Sequence, residues 1–236
     1  MTERGRDSVW RERSQFVIGP SRLRWNGQSL VIEIDERTAP FGQRVRGEVT
    51  VHPRSLTRFS APLDAQGRHR WGPIAPCSRV EVALDSPGLN WQGSAYLDSN
   101  EGDEPVDAPF RDWDWARATL ADGRTAVIYD VQPKEGGRRV VSELFHPDGR
   151  HSPFEAPPRC ALPASAWRIA RNGHGSSAHP PRLRRTLEDT PFYVRSELDA
   201  HLLGEPVVAV HETLSLPRLV SPVVQAMLPV RMPRRA

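Results

Sequence analysis

The sequence predicts an all-β protein made of short antiparallel strands. Three observations carry this expectation. Apolar and polar residues alternate with a period of two in run after run, which is the repeat of a half-buried strand. Tight-turn signals separate those runs. Proline and glycine number 23 and 17 among 236 residues, so a helical bundle would meet a breaker at short intervals. Many short strands with turns between them point to a β-barrel or a β-sandwich.

Taken in chain order, Asn26-Gly27 lies between runs at 22–25 and 29–34, a strong hairpin signal because both residues tolerate a positive φ. Val45, Gly47, Val49 and Val51 alternate with polar residues, as do Val80, Val82 and Leu84. Similar runs cover 125–131, 138–145, 192–198 and 207–216. Asp122-Gly123 and Pro147-Asp148-Gly149 supply turns between strands. One segment, 219–227, has a weak helical pattern, and Pro222 interrupts it.

Two stretches read as seams. Residues 153–163 hold Pro153, Pro157, Pro158 and Pro163, and strand patterns resume beyond them. A domain boundary is expected there, with a first β domain over 1–155 and a second, partial barrel over 156–236. Residues 172–181 are rich in Gly, Ser, His and Pro and read as a flexible loop.

Composition narrows the function. No apolar run approaches the roughly 18 to 20 residues that span a bilayer. The opening residues 1–13 are polar and charged, so no signal peptide is expected. The net charge is only +3, and no nucleic-acid-binding patch follows from it. Cys77 and Cys160 match no zinc spacing and are expected to be reduced thiols in a cytoplasmic protein. There is no Gly-rich nucleotide motif and no metal-ligand cluster, so no cofactor is expected.

The unusual stretch is 93–117. It crowds Tyr96, Asp98, Glu101, Asp103, Glu104, Asp107, Asp112 and Asp114 around Trp113 and Trp115. On a strand, Tyr96 and Asp98 share a face. Trp113, Trp115 and Arg117 share another, with Asp112 and Asp114 behind them. Arg68-His69-Arg70-Trp71 likewise puts His69 and Trp71 on one face. Singly, these residues have ordinary readings: a turn carboxylate, a surface imidazole, core indoles, a salt-bridging arginine. Together, aromatic faces around one carboxyl group suit an apolar ligand and acid chemistry.

Seven segments carry a resemblance that spans nearly the whole chain: GPSRLRW at 19–25, GRHRWGPIAP at 67–76, AYLDSNEGDEP at 95–105, WDWARA at 113–118, PPRCALPASAWRIAR at 157–171, RTLEDTPFY at 185–193 and LLGEPVVAVHETLSL at 202–216. With MTERGR at the start, the sequence resembles the carotenoid 1,2-hydratases (hydroxyneurosporene synthases) of phototrophic bacteria. The wider family is lipocalin-like and includes relatives of tocopherol cyclases. The resemblance therefore implies antiparallel lipocalin-like β-barrel domains. Many wider-family members read Asp-His-Asn-Trp-Gly after the tyrosine. Here the run is Asp98-Ser99-Asn100-Glu101-Gly102, which is the hydratase version. Hydratases of this family usually carry residues ahead of the MTERGR segment, so one or two initial strands of the first barrel are expected to be missing.

The resemblance also implies a reaction: addition of water across the C1–C2 double bond of an acyclic carotenoid such as neurosporene or lycopene, a hydro-lyase activity with water as co-substrate. An alkene is a weak base, so the acid must be protonated at working pH. A free Asp has a pKa near 3.9, and burial raises it. Asp98 is assigned as that acid. Trp71 is the first candidate to stabilise the carbocation, with Trp113 and Trp115 next, since indole faces contribute about 0.5 to 2 kcal/mol to a cation. His69 and Tyr96 are assigned to hold the water or to reprotonate Asp98. Trp113, Trp115 and Arg117 are assigned to substrate contact. The substrate lives in membranes, so peripheral contact with the inner, photosynthetic membrane is expected. The segment 219–236, with Arg231, Arg234 and Arg235, is its candidate surface. Two alternatives stay open: a cyclase of the same fold that excludes water, and a non-catalytic isoprenoid carrier.

Overall fold

The computed structural model describes residues 4–38 and 41–228. All strand pairing among them is antiparallel. The first sheet uses β1 (Val9–Arg11), β2 (Gln15–Ile18), β3 (Ser21–Trp25), β4 (Leu30–Arg37), β5 (Arg44–Pro53), β6 (Ala61–Pro62), β7 (His69–Ser86) and β8 (Leu89–Gly102). Asn26-Gly27 does join β3 to β4. The Asn26 side chain accepts from the backbone N–H of Gln28 and Ser29 and closes the turn, as short polar side chains do.

The chain then enters a second sheet through β9 (Phe110–Thr119), β10 (Thr125–Pro133), β11 (Arg139–Phe145) and β12 (His151–Pro153). A small two-stranded sheet follows, β13 (Arg159–Leu162) with β14 (Arg171–His174). The second sheet is completed by β15 (Arg182–Asp189), β16 (Tyr193–Leu202) and β17 (Glu205–Ser215), in the order β12-β11-β10-β9-β17-β16-β15. Two short helices, α1 (Leu216–Leu219) and α2 (Pro222–Met227), end the described chain.

Several expectations need correcting. Hydrogen bonding does not divide the chain at 155/156: β9 pairs with β17 from Asp112↔Ser215 to Ala118↔Ala209, so one sheet takes strands from both sides of that point. Residues 172–174 belong to β14 rather than to a loop, and Gly173 is buried. The loop reading rested on composition, whereas the pairing to β13 is what orders the segment. Pro222 does not interrupt the helix but begins it, where its missing N–H costs no hydrogen bond.

Alternate residues of the second sheet face two different cores. Trp115, Val127, Tyr129, Val131 and Leu214 face the first sheet and pack with Trp71, Cys77, Phe110 and Phe145. Ala118, Ala126, Ile128, Leu198 and Ala209 face the other way and are covered by Leu162, Phe154 and Ala156. The proline-rich segment is therefore a strap across the back of the second sheet. This is why strands β10 and β17 read as apolar on both parities.

Candidate active site

Strand β7 and strand β8 form the long hairpin that carries most of the expected site. Their register slips between Pro73 and Ala75 and again between Ala75 and Ser78. The prolines of the sequence GPIAP explain this, because Pro73 and Pro76 have no N–H to give to the ladder. Bulges of this kind re-aim neighbouring side chains. Here Trp71, opposite Asn100, reaches diagonally to Asp98.

Trp71 is fully buried and its indole Nε1–H donates to Asp98 Oδ2 at 2.9 Å. Its ring is packed edge-on by Phe59 and Tyr129, each 5.7 Å away between centroids, and by Phe145 at 6.2 Å. No face of Trp71 is open to a ligand. Its N–H is directed at Asp98, while its ring is enclosed by the core.

Asp98 is half-buried. Burial pushes its carboxyl above the ordinary aspartate range, while the Trp71 N–H and the Tyr96 hydroxyl pull it down and the charge of Glu212 pushes it up; the net is upward. A carboxyl held this way keeps its proton to higher pH. Tyr96 shares the face, as expected from the spacing. Burial first, then the charge of Asp98, drives the Tyr96 phenol well above its ordinary value. Its hydroxyl is buried without a well-formed hydrogen bond.

Across from β8, the face of β9 carries Trp113, Trp115 and Arg117, as the period-two reading requires. Trp115 lies 5.3 Å from Tyr96 between centroids, and the Arg117 guanidinium sits 5.6 Å from the centre of the Tyr96 ring. Burial pulls Arg117 below its ordinary pKa. Trp113 stands 6.0 Å from Tyr129 and 6.3 Å from Phe110. The structure thus gathers Trp71, Tyr96, Asp98, Trp115 and Arg117 around one point.

His69 is set apart. Its Nδ1 faces Asp64 Oδ2 at 3.2 Å and its Nε2 faces the Glu104 carbonyl at 3.1 Å. Asp64 also accepts from the backbone N–H of Gln66, Arg68 and His69. Both ring nitrogens are engaged, and no contact joins His69 to Asp98. A Cβ on Gly102 would lie 2.7 Å from His69 Cδ2, which explains the glycine that ends the Asp98–Gly102 run. Beyond His69 opens a cleft of about 600 Å³ lined by Asp64, Arg68, Glu104, Lys134 and Arg139 among others. Leu63, Ala108, Pro109 and Pro133 supply apolar parts of its wall.

Sequence reasoning missed the far wall. Tyr129 hydroxyl donates to Asn100 Oδ1 at 3.4 Å. Glu212 and Arg195 form an ion pair at 2.9 Å. Tyr193 is driven upward in pKa by burial. One signal was available: Glu212 alternates with Val210 and Leu214, so an acid sits in an apolar register of its strand.

Comparisons with known proteins place the chain in a family. The family model "Carotenoid hydratase CrtC" matches residues 1–236. An acyclic carotenoid 1,2-hydratase of Rubrivivax gelatinosus is 59% identical over all of this chain and 58% of its own length. The enzyme of that name from Thiocapsa roseopersicina is 47% identical over 99% of this chain and 58% of its own length. That of Cereibacter sphaeroides is 35% identical over 100% of this chain and 84% of its length. The chain therefore spans a little over half the length of the first two. A solved structure from Nitrosomonas europaea, provisionally assigned as AttH, superposes with a TM-score of 0.62 at 12% identity, over 89% of this chain and 72% of that one. At that identity the likeness concerns the fold alone.

Proposed function

The chain belongs to the carotenoid hydratase family, and on that footing we propose that it carries the acid site of an acyclic carotenoid 1,2-hydratase. The observation that carries the reading is the Asp98 carboxyl, held by the Trp71 indole N–H and kept protonated upward in pH by burial.

The chemistry follows from those contacts. Protonated Asp98 gives its proton to C2 of the terminal double bond, and a tertiary cation forms at C1. The Trp71 N–H stabilises the carboxylate left behind, so proton transfer is less uphill. The π-faces of Tyr96 and of Trp113 and Trp115 flank the cation and favour it through their quadrupoles. Water then captures C1 to give the 1-hydroxy carotenoid. Hydration is redox-neutral, so the reaction needs no redox partner. His69 acts at one remove: tied to Asp64 and to the Glu104 carbonyl, it fixes the end of the β7–β8 hairpin.

The substrate, a long hydrocarbon, is drawn from the bilayer, so the reading includes peripheral contact with a membrane surface. Among the described residues no helix is long and apolar enough to cross a membrane. Of the segment 219–236 assigned to that contact, residues 229–236, with Arg231, Arg234 and Arg235, lie outside the described residues, as does the start of the MTERGR segment.

The test is incubation of the purified chain with lycopene and with neurosporene, without added cofactor, beside Asp98→Asn. The expected result is a product heavier by one water, formed at least about 100-fold more slowly by the variant, the usual loss for a general acid. Unchanged polyene binding with no product from either protein would favour the carrier reading instead.

A further inference from the structure

Protonation is half of a hydration. The other half is delivery of a water and removal of its proton, and Asp98 has just become a carboxylate on the wrong errand: its proton must be replaced before the next turnover. The face of the second sheet opposite Asp98 holds the groups for this second task. The register sets Tyr129, Trp115, Glu212 and Arg195 side by side across β10, β9, β17 and β16. The next row sets Trp113, Leu214 and Tyr193 side by side. Glu212 Oε1 accepts from Arg195 Nε at 2.9 Å, and the Arg195 guanidinium lies 5.7 Å from the centre of the Tyr193 ring.

Around this pair, Trp115 Nε1 is buried with no hydrogen-bond partner, and the buried hydroxyls of Tyr96, close to Asp98, and of Tyr193, close to Glu212, make no well-formed hydrogen bond. A buried polar group left unpaired is destabilising, and native proteins keep such groups where a water or ligand completes the set. A bound water needs two to four polar partners. Tyr96 touches Trp115, Trp115 is the cross-strand neighbour of Glu212, and Glu212 is that of Arg195. Tyr96, which shares a strand face with Asp98, thus touches the row that carries Trp115, Glu212 and Arg195.

We propose that Glu212, oriented by Arg195, is the catalytic base that holds and deprotonates the attacking water, with Trp115 Nε1 and Tyr193 Oη completing the water's site. The proposal rests on the hydratase reading above. The step balances as follows. The π pair of the alkene takes the Asp98 proton and forms the new C–H bond, leaving the cation at the other carbon. A lone pair of the water oxygen forms the C–O bond. The O–H bond then breaks and its proton goes to the Glu212 carboxylate. The product is the neutral alcohol, with Asp98 ionised and Glu212 protonated. Return of one proton from Glu212 to Asp98 through solvent restores both groups.

The test is Glu212→Gln, which keeps size and one acceptor, incubated with lycopene in D₂O beside the parent chain and Asp98→Asn. Alcohol formation and deuterium in recovered lycopene are read together. Glu212→Gln is expected to lose alcohol formation at least about 100-fold while still placing deuterium in recovered lycopene, because reversible protonation by Asp98 survives. Asp98→Asn is expected to lose both. Tyr193→Phe, which removes one hydroxyl and no charge, is expected to show the Glu212→Gln pattern in milder form, and it serves if Glu212→Gln does not fold. Alcohol formed at the parental rate by folded Glu212→Gln overturns the proposal, as does parallel loss of alcohol and exchange, which would make the residue a support for Asp98. A parent chain that yields neither alcohol nor exchange overturns the hydratase reading and this proposal with it.

Discussion

At the scale of residues, the contact between Trp71 and Asp98 sets two opposing demands. Burial favours the acid form of Asp98, and the indole N–H favours its conjugate base. An acid has to be protonated before reaction and tolerate ionisation afterwards, so both influences are useful. Trp71→Phe keeps an aromatic ring in the core and removes the second. The Asp98 pKa in the variant moves further up, and the alkaline limb of kcat/KM against pH is expected to shift to higher pH. A limb that stays in place or moves down would show that the hydrogen bond does not tune the acid. Tyr96, Asp98 and the Trp113–Arg117 face were legible in the sequence because a period of two is all that is needed to place them. Glu212 was not, because its neighbours Trp115 and Arg195 are set by the order of strands in the sheet, which no local pattern encodes. The partner of His69 was not legible for a similar reason: Asp64 lies in the turn ahead of β7 and was indistinguishable from any other loop acid.

At the scale of elements, the strap over the back of the second sheet is fastened by two buried acids. Asp130 accepts from Arg138 at 3.0 Å, from Arg159 at 3.2 Å and faces His174 at 3.1 Å. Asp114 accepts from Thr213 at 2.7 Å and from the Asn172 backbone N–H and side chain at 3.2 Å. Arg159, Asn172 and His174 all belong to β13 and β14, so these bonds pin the strap. Asp130→Ala is expected to cost about 3 kcal/mol, the low end for a broken buried pair, because His174 is left buried without its carboxylate while Arg138 and Arg159 are part-exposed. The pH dependence has a definite sign. Burial pushes Asp130 up, but His174 and Arg138 outweigh it and hold it below its ordinary value. Its contribution is present above the unfolded value and fades as pH falls through the lower folded one. Burial pulls His174 down, but Asp130 and the Pro157 carbonyl outweigh it and raise it. Its contribution is present below the unfolded value and fades as pH rises through the higher folded one. The clasp is therefore complete between roughly pH 4 and 6.5. The gap in Tm between the parent and Asp130→Ala should be widest there and narrow on either side. A gap independent of pH would mean the carboxylate is only filling space. The sequence marked this region as a seam and a loop because prolines and glycines dominate it, and its ordering groups are single polar residues far apart in the chain.

At the scale of the molecule, the second sheet ties the two sides of residue 155 into one body. A fragment ending there would leave β9 without β17 and Asp114 without Thr213 and Asn172. Fragment 1–155 alone is expected to lack a cooperative thermal transition, and mixing it with 156–236 to restore one. Two independent transitions from the separate fragments would instead support the division drawn from composition. The all-β character was legible from alternation and turns alone, whereas the pairing of β9 with β17 was not, since it joins Asp112 to Ser215 across intervening strands. The slips between Pro73 and Ser78 have a consequence of their own. They set the phase between two halves of β7, one aimed at Asp98 and the other keyed to β5 from Ser78 to Ser86. Shifting a strand by one residue reverses every side chain. A single insertion or deletion between Trp71 and Ser78 would let both halves stay zipped to their neighbours yet turn the indole away from the carboxyl. The count of residues in that stretch thus fixes the contact between Trp71 and Asp98, although none of the side chains between them makes it.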